Sequence, residues 1–181
     1  SAMRRGIAEH MRRSLETSAH VTSAIAVDLS RVVQIREKLK KEYQAAYGVN
    51  PTYLAFIARA TVDTLRDYPL VNGELRGDQI VTKNFVNLGF AVATQRGLIV
   101  PNIKAAGGLS LPQLAAQLTT LIATAREGHS RPADLSGGTL SITNVGVFGV
   151  DGGIPILNPG ESAIVCLGTI APRPWVHEGQ L

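Results

Sequence analysis

The stretch from Asp134 to Gly149 constrains the fold most, because glycine-rich turns bracket a short segment of alternating apolar and polar residues. This alternation predicts a β-strand with one apolar side and one side that carries hydroxyl groups. A hydroxyl at the end of a strand, beside a glycine-rich loop, can donate a hydrogen bond to a small molecule. The apolar side is Leu140, Ile142 and Val145, with Ser141 and Thr143 at the alternate positions.

Composition indicates a globular domain. The chain has 181 residues, 45% of them hydrophobic and 18% charged, which is enough for one domain with a core. Its net charge of +4 suits an anionic ligand, but no dense basic run favours nucleic acid. No apolar run of about 20 residues predicts a membrane helix, and no signal peptide is recognisable. The single cysteine, Cys166, is expected to be a buried structural thiol in a reducing, cytoplasmic setting.

Hydrophobic periodicity predicts helices and strands in irregular order, and hence an α/β sandwich with a mixed β-sheet flanked by helices. The predicted helices cover residues 4–18, a segment from a Ser30 cap to Gly48, a segment from Asn50-Pro51 to Pro69, and a segment from a Ser110 cap to Gly128. The predicted strands are His20–Asp28, a hairpin around Gly77-Asp78, Val86–Thr94, Leu98–Ile103, the stretch after Gly138, and Ser162–Ile170.

Several common kinds of site are absent from the sequence. It has no phosphate-binding P-loop, no dinucleotide-binding glycine motif and no zinc-protease motif. A nucleophile elbow for a serine hydrolase is missing too. The histidines have no second ligand at metal spacing, so no metal is expected and a surface or capping role is favoured for each; they are His10, His20, His129 and His177.

Five short motifs occur in an order that resembles one family, the catalytic domain of dihydrolipoamide acyltransferases, which are the core components of 2-oxo acid dehydrogenase complexes. The resemblance covers residues 4–181, and residues 1–3 are interpreted as a cloning scar. The matching motifs are Arg5–Met11, Tyr68–Asn72, Gly97–Asn102, Leu135–Thr139 and Asn158–Ile164.

The resemblance implies a fold similar to chloramphenicol acetyltransferase and an active site at the interface of a homotrimer. Trimers would assemble into a cubic or larger core that works with a decarboxylase and a dihydrolipoamide dehydrogenase. The implied reaction moves an acyl group from dihydrolipoamide, carried on a separate lipoyl domain, to coenzyme A. In this family a Ser or Thr hydroxyl stabilises the oxyanion, and the matching residue is Thr143. Coenzyme A contacts carry over to Arg36, Thr52, Asn144 and Gly168, whereas Ala93 stands where some relatives have an acidic residue.

Two features refine the resemblance. The loop from Val150 to Ser162 is similar to that of branched-chain-type members. The family's base, a histidine in a His-x-x-x-Asp-Gly motif, has no match before Leu181, so the chain is expected to be C-terminally incomplete, to carry a further tail or to be natively short. A truncated chain would be unable to complete catalysis and would fold poorly. Two other functions are possible for a chain of this fold. One is a non-catalytic assembly module, and the other is a coenzyme A-dependent acyltransferase that acts on a small hydroxyl or amine acceptor.

Overall fold

The computed structural model describes residues 2–176 and residue 179. Three short 3-10 turns cover Pro69–Asn72, Ala106–Gly108 and Gly146–Phe148. The helices are α1 (Ala2–Thr17), α2 (Ser30–Tyr47), α3 (Tyr53–Asp67), α4 (Leu111–Arg126) and α5 (Pro132–Leu135). The strands are β1 (Gly73–Arg76), β2 (Gln79–Thr82), β3 (Leu88–Phe90), β4 (Val92–Thr94), β5 (Gly97–Ile99), β6 (Asn102–Ile103), β7 (Leu140–Asn144) and β8 (Ile164–Leu167).

The central sheet has four strands in the order β6-β3-β7-β8. Strand β7 runs parallel to both neighbours, while β6 is antiparallel to β3. Two separate two-stranded ladders, β1–β2 and β4–β5, complete the strands. The predicted mixed sheet is therefore confirmed, with the Asp134–Gly149 stretch contributing an inner strand.

The main core lies between one face of this sheet and helices α3 and α4. We call this side of the sheet the helix-covered face. Its side chains are at most 2% exposed, because apolar residues alternate along β3 and β7 and meet the apolar stripes of the two helices. The core residues are Leu88, Phe90, Ile103, Leu140 and Ile142 from the sheet, Ala58, Val62 and Leu65 from α3, and Leu114 and Leu118 from α4.

Two predicted helix starts are displaced. Ser30 is the first residue of α2 rather than its cap, and its backbone N–H donates to the Asp28 carboxylate at 2.8 Å. Helix α3 begins after Thr52, not at Asn50-Pro51, because the Thr52 hydroxyl accepts from the backbone N–H of Ala55. The predicted C-terminal stop of α2 is confirmed, since Gly48 has a φ of 65°.

The predicted strand His20–Asp28 is wrong. The segment between α1 and α2 has no strand, and Val21 and Ile25 are 90% and 88% exposed. Alternating apolar residues form a strand only where a partner satisfies the backbone groups, and no described strand pairs with this segment.

The two long strands predicted on either side of Gly97 are each divided. Ala91 donates its backbone N–H to Ile142 on β7, so β3 stays in the central sheet while the following β4 pairs with β5. Pro101 interrupts the returning strand between β5 and β6, because proline has no backbone N–H to donate. The predicted strand Ser162–Ile170 is real but shorter, with only Ile164–Leu167 paired.

Helix α1 is present as predicted, but its apolar residues are not all turned toward the rest of the chain. Ile7 and Met11 are half-buried, but Leu15 is 55% exposed, and Ser14 is the buried residue of the helix.

We searched the helices for a membrane span. None of the described helices combines the length and the apolar character that crossing a bilayer requires.

Candidate functional site

Thr143 lies near the carboxyl end of the central parallel strand β7. In the ladder it pairs with Cys166 of β8, and it shares a face with Ser141, opposite the helix-covered face. We call this second side of the sheet the open face. Thr143 is half-buried, and its hydroxyl makes no hydrogen bond to any residue that the structure describes. The hydroxyl is therefore available to donate to a ligand.

The loop after β7 has a close backbone packing that fixes where the strand ends. The Asn144 side-chain oxygen accepts from the backbone N–H of Gly146 at 3.1 Å, which closes a local turn and leaves the amide group as a donor. A Cβ on Gly146 would lie 2.3 Å from the carbonyl oxygen of Gly168. Glycine is required there because the two backbones touch.

Gly168 holds the other side of this contact. A Cβ at this position would lie 1.9 Å from the carbonyl oxygen of Asp151. The neighbouring Thr169 donates its N–H and hydroxyl to the Val150 carbonyl, at 2.9 Å and 2.8 Å. Arg173 pairs with Asp151 and keeps the pKa of that carboxyl below its usual range. Thr143, Asn144 and Gly168 thus meet at one end of β7 and β8.

Arg36 and Thr52 form a second group, at the junction of α2 and α3. Arg36 donates from Nε to the Pro51 carbonyl at 2.9 Å, and its guanidinium lies 4.9 Å from the centre of the Tyr53 ring. Its Nη1 pairs with Glu37 at 2.6 Å, while Nη2 has no hydrogen-bond partner among the described residues. The guanidinium is held in place with one nitrogen left to bind an anion.

Ala93 lies on a different ladder from Thr143. It is exposed on β4, where it pairs with Leu98 of β5 in a ladder separate from the central sheet. Within the described residues, no hydrogen bond or ion pair joins Ala93 to Arg36 or Thr143. The coenzyme A roles of all these residues stay predictions.

A polar cluster on the open face escaped the sequence analysis. Ser141 is fully buried; its hydroxyl donates to Glu161 at 3.0 Å and accepts from the Asn158 amide at 2.9 Å. Burial raises the pKa of Glu161, against the opposing hydrogen bonds from Ser141 and Asn158 and the charge of Lys83. The alternation of Ser141 with Thr143 and the Asn158–Ile164 motif marked these positions in the sequence, but their contact was not predictable because the partners lie 17 and 20 residues from Ser141.

His20 has a more specific role than the predicted surface or capping role. Its Nδ1 lies 3.1 Å from the Ser18 carbonyl, and its Nε2 accepts from the backbone N–H of Leu157 at 3.1 Å. Ser14 of α1 donates to the carbonyl of the same Leu157 at 2.6 Å. Helix α1 is thereby attached to the segment that covers the open face. His10 and His129 are exposed, and His177, for which the same role was predicted, lies outside the described residues.

Cys166 is half-buried rather than fully buried, on the open face beside Thr143. The covering loop passes close to it at Gly153, whose Cβ position would lie 3.6 Å from the thiol sulfur. Among the described residues there is no cluster of three His, Cys, Asp or Glu side chains that could hold a metal ion.

Comparison with known proteins identifies the family. A family model described as 2-oxoacid dehydrogenases acyltransferase (catalytic domain) matches residues 1–181. The chain belongs to this family, and the resemblance found in the five motifs is confirmed. Its α/β architecture is that of the acyltransferase catalytic domains, as predicted.

One sequence relative and two solved structures illustrate the match. The succinyltransferase component of the 2-oxoglutarate dehydrogenase complex of Rickettsia felis is 36% identical over 181 residues, which are 100% of this chain and 45% of that protein. The chain thus spans less than half of that relative. A crystal structure of a probable dihydrolipoamide acetyltransferase from Listeria monocytogenes matches with a TM-score of 0.93 and 30% identity, covering 99% of this chain and 76% of the other. The cubic core of a pyruvate dehydrogenase multienzyme complex matches with a TM-score of 0.83 and 32% identity, covering 90% and 67%.

Proposed function

We propose that this chain is the acyl-transfer domain of a 2-oxo acid dehydrogenase complex component, moving an acyl group from a dihydrolipoyl thioester to coenzyme A. The observation that carries the proposal is the Thr143 hydroxyl, which has no hydrogen-bond partner among the described residues and lies near the end of β7, beside residues fixed by close backbone contacts. Family membership supplies the reaction class.

The proposed step is a thioester exchange. The thiolate sulfur of coenzyme A attacks the thioester carbon, and the carbonyl oxygen gains negative charge as the tetrahedral intermediate forms. Thr143 donates its hydroxyl hydrogen to that oxygen. The intermediate then collapses, the carbon–sulfur bond to the dihydrolipoyl group breaks, and the departing thiolate takes up a proton. No described residue is proposed as the base.

The residues at the α2–α3 junction support an anion site for coenzyme A. Arg36 presents a guanidinium that Pro51 and Tyr53 hold in place, with Nη2 directed to no described partner. A phosphate would complete its hydrogen bonding. Thr52 adds an exposed hydroxyl beside it, and Asn144 adds an amide donor near Thr143 for the pantetheine arm.

Assembly is part of the proposal. The apolar side chains of Val21, Ile25, Val147, Phe148 and Ile154 are 70–90% exposed on this single chain, which favours burial against another copy. We propose a homotrimer that builds a cubic or larger core with decarboxylase and dihydrolipoamide dehydrogenase partners, in the cytoplasm. Sedimentation of the purified chain tests the trimer, and a monomer at micromolar concentration would contradict it.

The acyl group is the finer part of the proposal. The Val150–Ser162 loop favours a branched-chain substrate, whereas the relatives described above carry succinyl and acetyl names. Rates with acetyl, succinyl and isobutyryl dihydrolipoamide, compared as kcat/KM, test the choice. Equal or higher kcat/KM for succinyl or acetyl would overturn the branched-chain assignment.

The decisive experiment compares Thr143→Val with Thr143→Ser in the full chain. Valine keeps the shape and removes the hydroxyl, while serine keeps the hydroxyl. Losing one such donor costs about 2.7–4 kcal/mol of transition-state stabilisation, so the valine variant should be slower by about a hundredfold or more. Transfer is followed as acyl-coenzyme A formation up to pH about 8.5, where an ordinary thiol ionises without a base.

The outcomes separate the alternatives. Coenzyme A binding without transfer above the protein-free rate would indicate a non-catalytic assembly module. Transfer from acyl-coenzyme A to a small alcohol or amine, but not to dihydrolipoamide, would indicate a different acyltransferase. Equal rates for the valine variant and the parent would remove Thr143 from the mechanism.

A further inference from the structure

The open face of the central sheet contains one row of polar side chains beneath the proposed site. Asn102 of β6, Gly89 of β3 and Ser141 of β7 are aligned across the sheet. Gly89 has no side chain, and a Cβ there would lie 2.8 Å from the Ser141 hydroxyl and 3.1 Å from the Asn102 side-chain oxygen. The absence of a side chain at Gly89 therefore lets the Ser141 hydroxyl, the Asn102 side-chain oxygen and the Val100 methyl group pack closely over its backbone.

Two buried acceptors of this polar cluster lack a donor among the described residues. The side-chain oxygen of Asn102 and Oε2 of Glu161 are both buried without a hydrogen-bond partner among the described residues. The Asn102 amide orientation is set, because its nitrogen donates to the backbone carbonyls of Asp134 at 3.1 Å and Val100 at 3.4 Å. The Cβ position of Gly138 lies 2.5 Å from the Asn102 side-chain oxygen and 3.0 Å from Oε1 of Glu161, so the amide and the carboxyl group both lie against this glycine.

We propose that Glu161 is a buried neutral carboxyl whose proton supplies the missing donor, and that it positions β7 and the Thr143 hydroxyl by linking Ser141 and Asn158 to Asn102. The neutral acid can accept from Ser141 through one oxygen and donate through the other, which an ionised carboxylate cannot do. Its role in catalysis rests on the function proposed for Thr143; its role in stability does not.

Charged groups near Glu161 set how firmly its proton is held. Burial raises the pKa of Glu161, and the Lys83 ammonium opposes this. Lys83 is itself occupied, lying 3.5 Å from the Glu74 carboxylate and 3.4 Å from the Gly160 carbonyl. Arg76 also pairs with Glu74. Lys83 and Arg76 share the single Glu74 carboxylate, which offsets only part of their charge, so burial rather than charge compensation is what favours the protonated acid of Glu161.

This arrangement has a defined pH dependence. A carboxyl whose pKa is raised on folding binds more protons in the folded state than in the unfolded state. Its contribution to stability is complete below the ordinary glutamate pKa and is lost as pH rises through the folded pKa. Other carboxylates add their own slopes, so the difference from a variant without the titrating group is the informative quantity.

The experiment compares Glu161→Gln with Glu161→Ala in the full chain between pH 4.5 and 8. The glutamine amide mimics the neutral acid, so its Tm should equal that of the parent at pH 4.5 and exceed it by several degrees at pH 8. The alanine variant should melt lower than the parent at pH 4.5. An infrared band of a protonated carboxyl, present in the parent and lost in the glutamine variant, would support the assignment directly.

Contrary outcomes are equally clear. A Tm difference between parent and glutamine variant that stays constant with pH would show that Glu161 does not change protonation in this range and would overturn the proposal. Acyl transfer is the second measurement. We expect the glutamine variant to retain kcat and the alanine variant to lose at least tenfold in kcat, with KM for coenzyme A unchanged in both. If the parent transfers no acyl group, the proposed function fails, while the melting data still decide the state of Glu161.

Discussion

The two faces of strand β7 differ in what their residues contribute. On the helix-covered face Leu140 and Ile142 are 1% exposed and belong to the hydrophobic core cluster. On the open face Ser141 is equally buried but lies in a polar cluster, and Thr143 is half-buried with an unused hydroxyl. One strand therefore provides the centre of the core with one set of residues and the candidate site with the alternate set.

The difference shows how a reactive group can be held in place without being enclosed. Helices α3 and α4 pack on the helix-covered face and fix the strand by burial of apolar surface. The segment that carries Asn158 and Glu161 is joined to the open face by hydrogen bonds at Ser141. We expect changes on the helix-covered face to cause the largest losses of stability, and changes on the open face to cause smaller losses and to alter the chemistry as well.

The largest effect is expected from Phe90→Ala. Phe90 is 2% exposed in the core, so removing the ring should lower the free energy of unfolding by about 3–5 kcal/mol. Urea unfolding followed by circular dichroism measures the change. Phe90→Leu, which refills much of the volume, is the matched control and should lose far less. Similar losses for both variants would mean that the ring shape, not its volume, stabilises this face.

A smaller loss is expected at the end of the open face, from Gly168→Ala. The new Cβ would meet the Asp151 carbonyl oxygen at 1.9 Å, which forces the backbones apart and costs about 1–3 kcal/mol. Gly152→Ala is the control in the same contact region, because its Cβ would have nothing within 4 Å. Unfolding of both variants in urea is compared. If Gly168→Ala were as stable as Gly152→Ala, the loop would adapt freely to the new Cβ and would not fix the end of β7.

Thr52→Ala removes the cap at the start of α3, one of the two helices that pack on the helix-covered face. Loss of the cap should lower the free energy of unfolding by about 1 kcal/mol, whereas Thr52→Ser should retain it. Calorimetric titration with coenzyme A then separates two roles of one hydroxyl. Stability loss without weaker binding would leave Thr52 a structural residue only and contradict its predicted contact.

The sequence predicted the helix-covered face well because the pattern is local: alternation along β7 and helical stripes along α3 and α4 need no knowledge of partners. It failed where a partner decides the structure. His20–Asp28 alternates like a strand but meets no ladder, and Ala91 pairs with β7 instead of continuing its hairpin. The contact between Ser141 and Glu161 depends on the path of the segment 145–163, which joins β7 to β8, and the residue types alone do not specify that path.

The smallest expected effect concerns a carboxylate near the open face whose behaviour should be opposite to that of Glu161. Asp134 accepts from the Arg131 guanidinium and backbone, which lowers its pKa to about 2. Its backbone carbonyl also accepts from Asn102. Because the folded pKa is depressed, the ion pair contributes fully above the ordinary aspartate pKa and is lost as pH falls toward 2. Solvent screening at this exposed site should keep the gain small.

Asp134→Asn removes this pH dependence. Its Tm should lie below that of the parent at neutral pH, and the difference between the two Tm values should become smaller below pH about 4, the pKa of an aspartate in the unfolded chain. The Glu161→Gln difference should instead widen as pH rises. Carbon-detected NMR titration of the Asp134 carboxyl measures its pKa directly, and an ordinary value would contradict the Arg131 contact. Opposite pH slopes at two carboxyls linked through Asn102 would show that one edge of the open face depends on a charged pair and its centre on a neutral acid, while parallel slopes would remove that distinction.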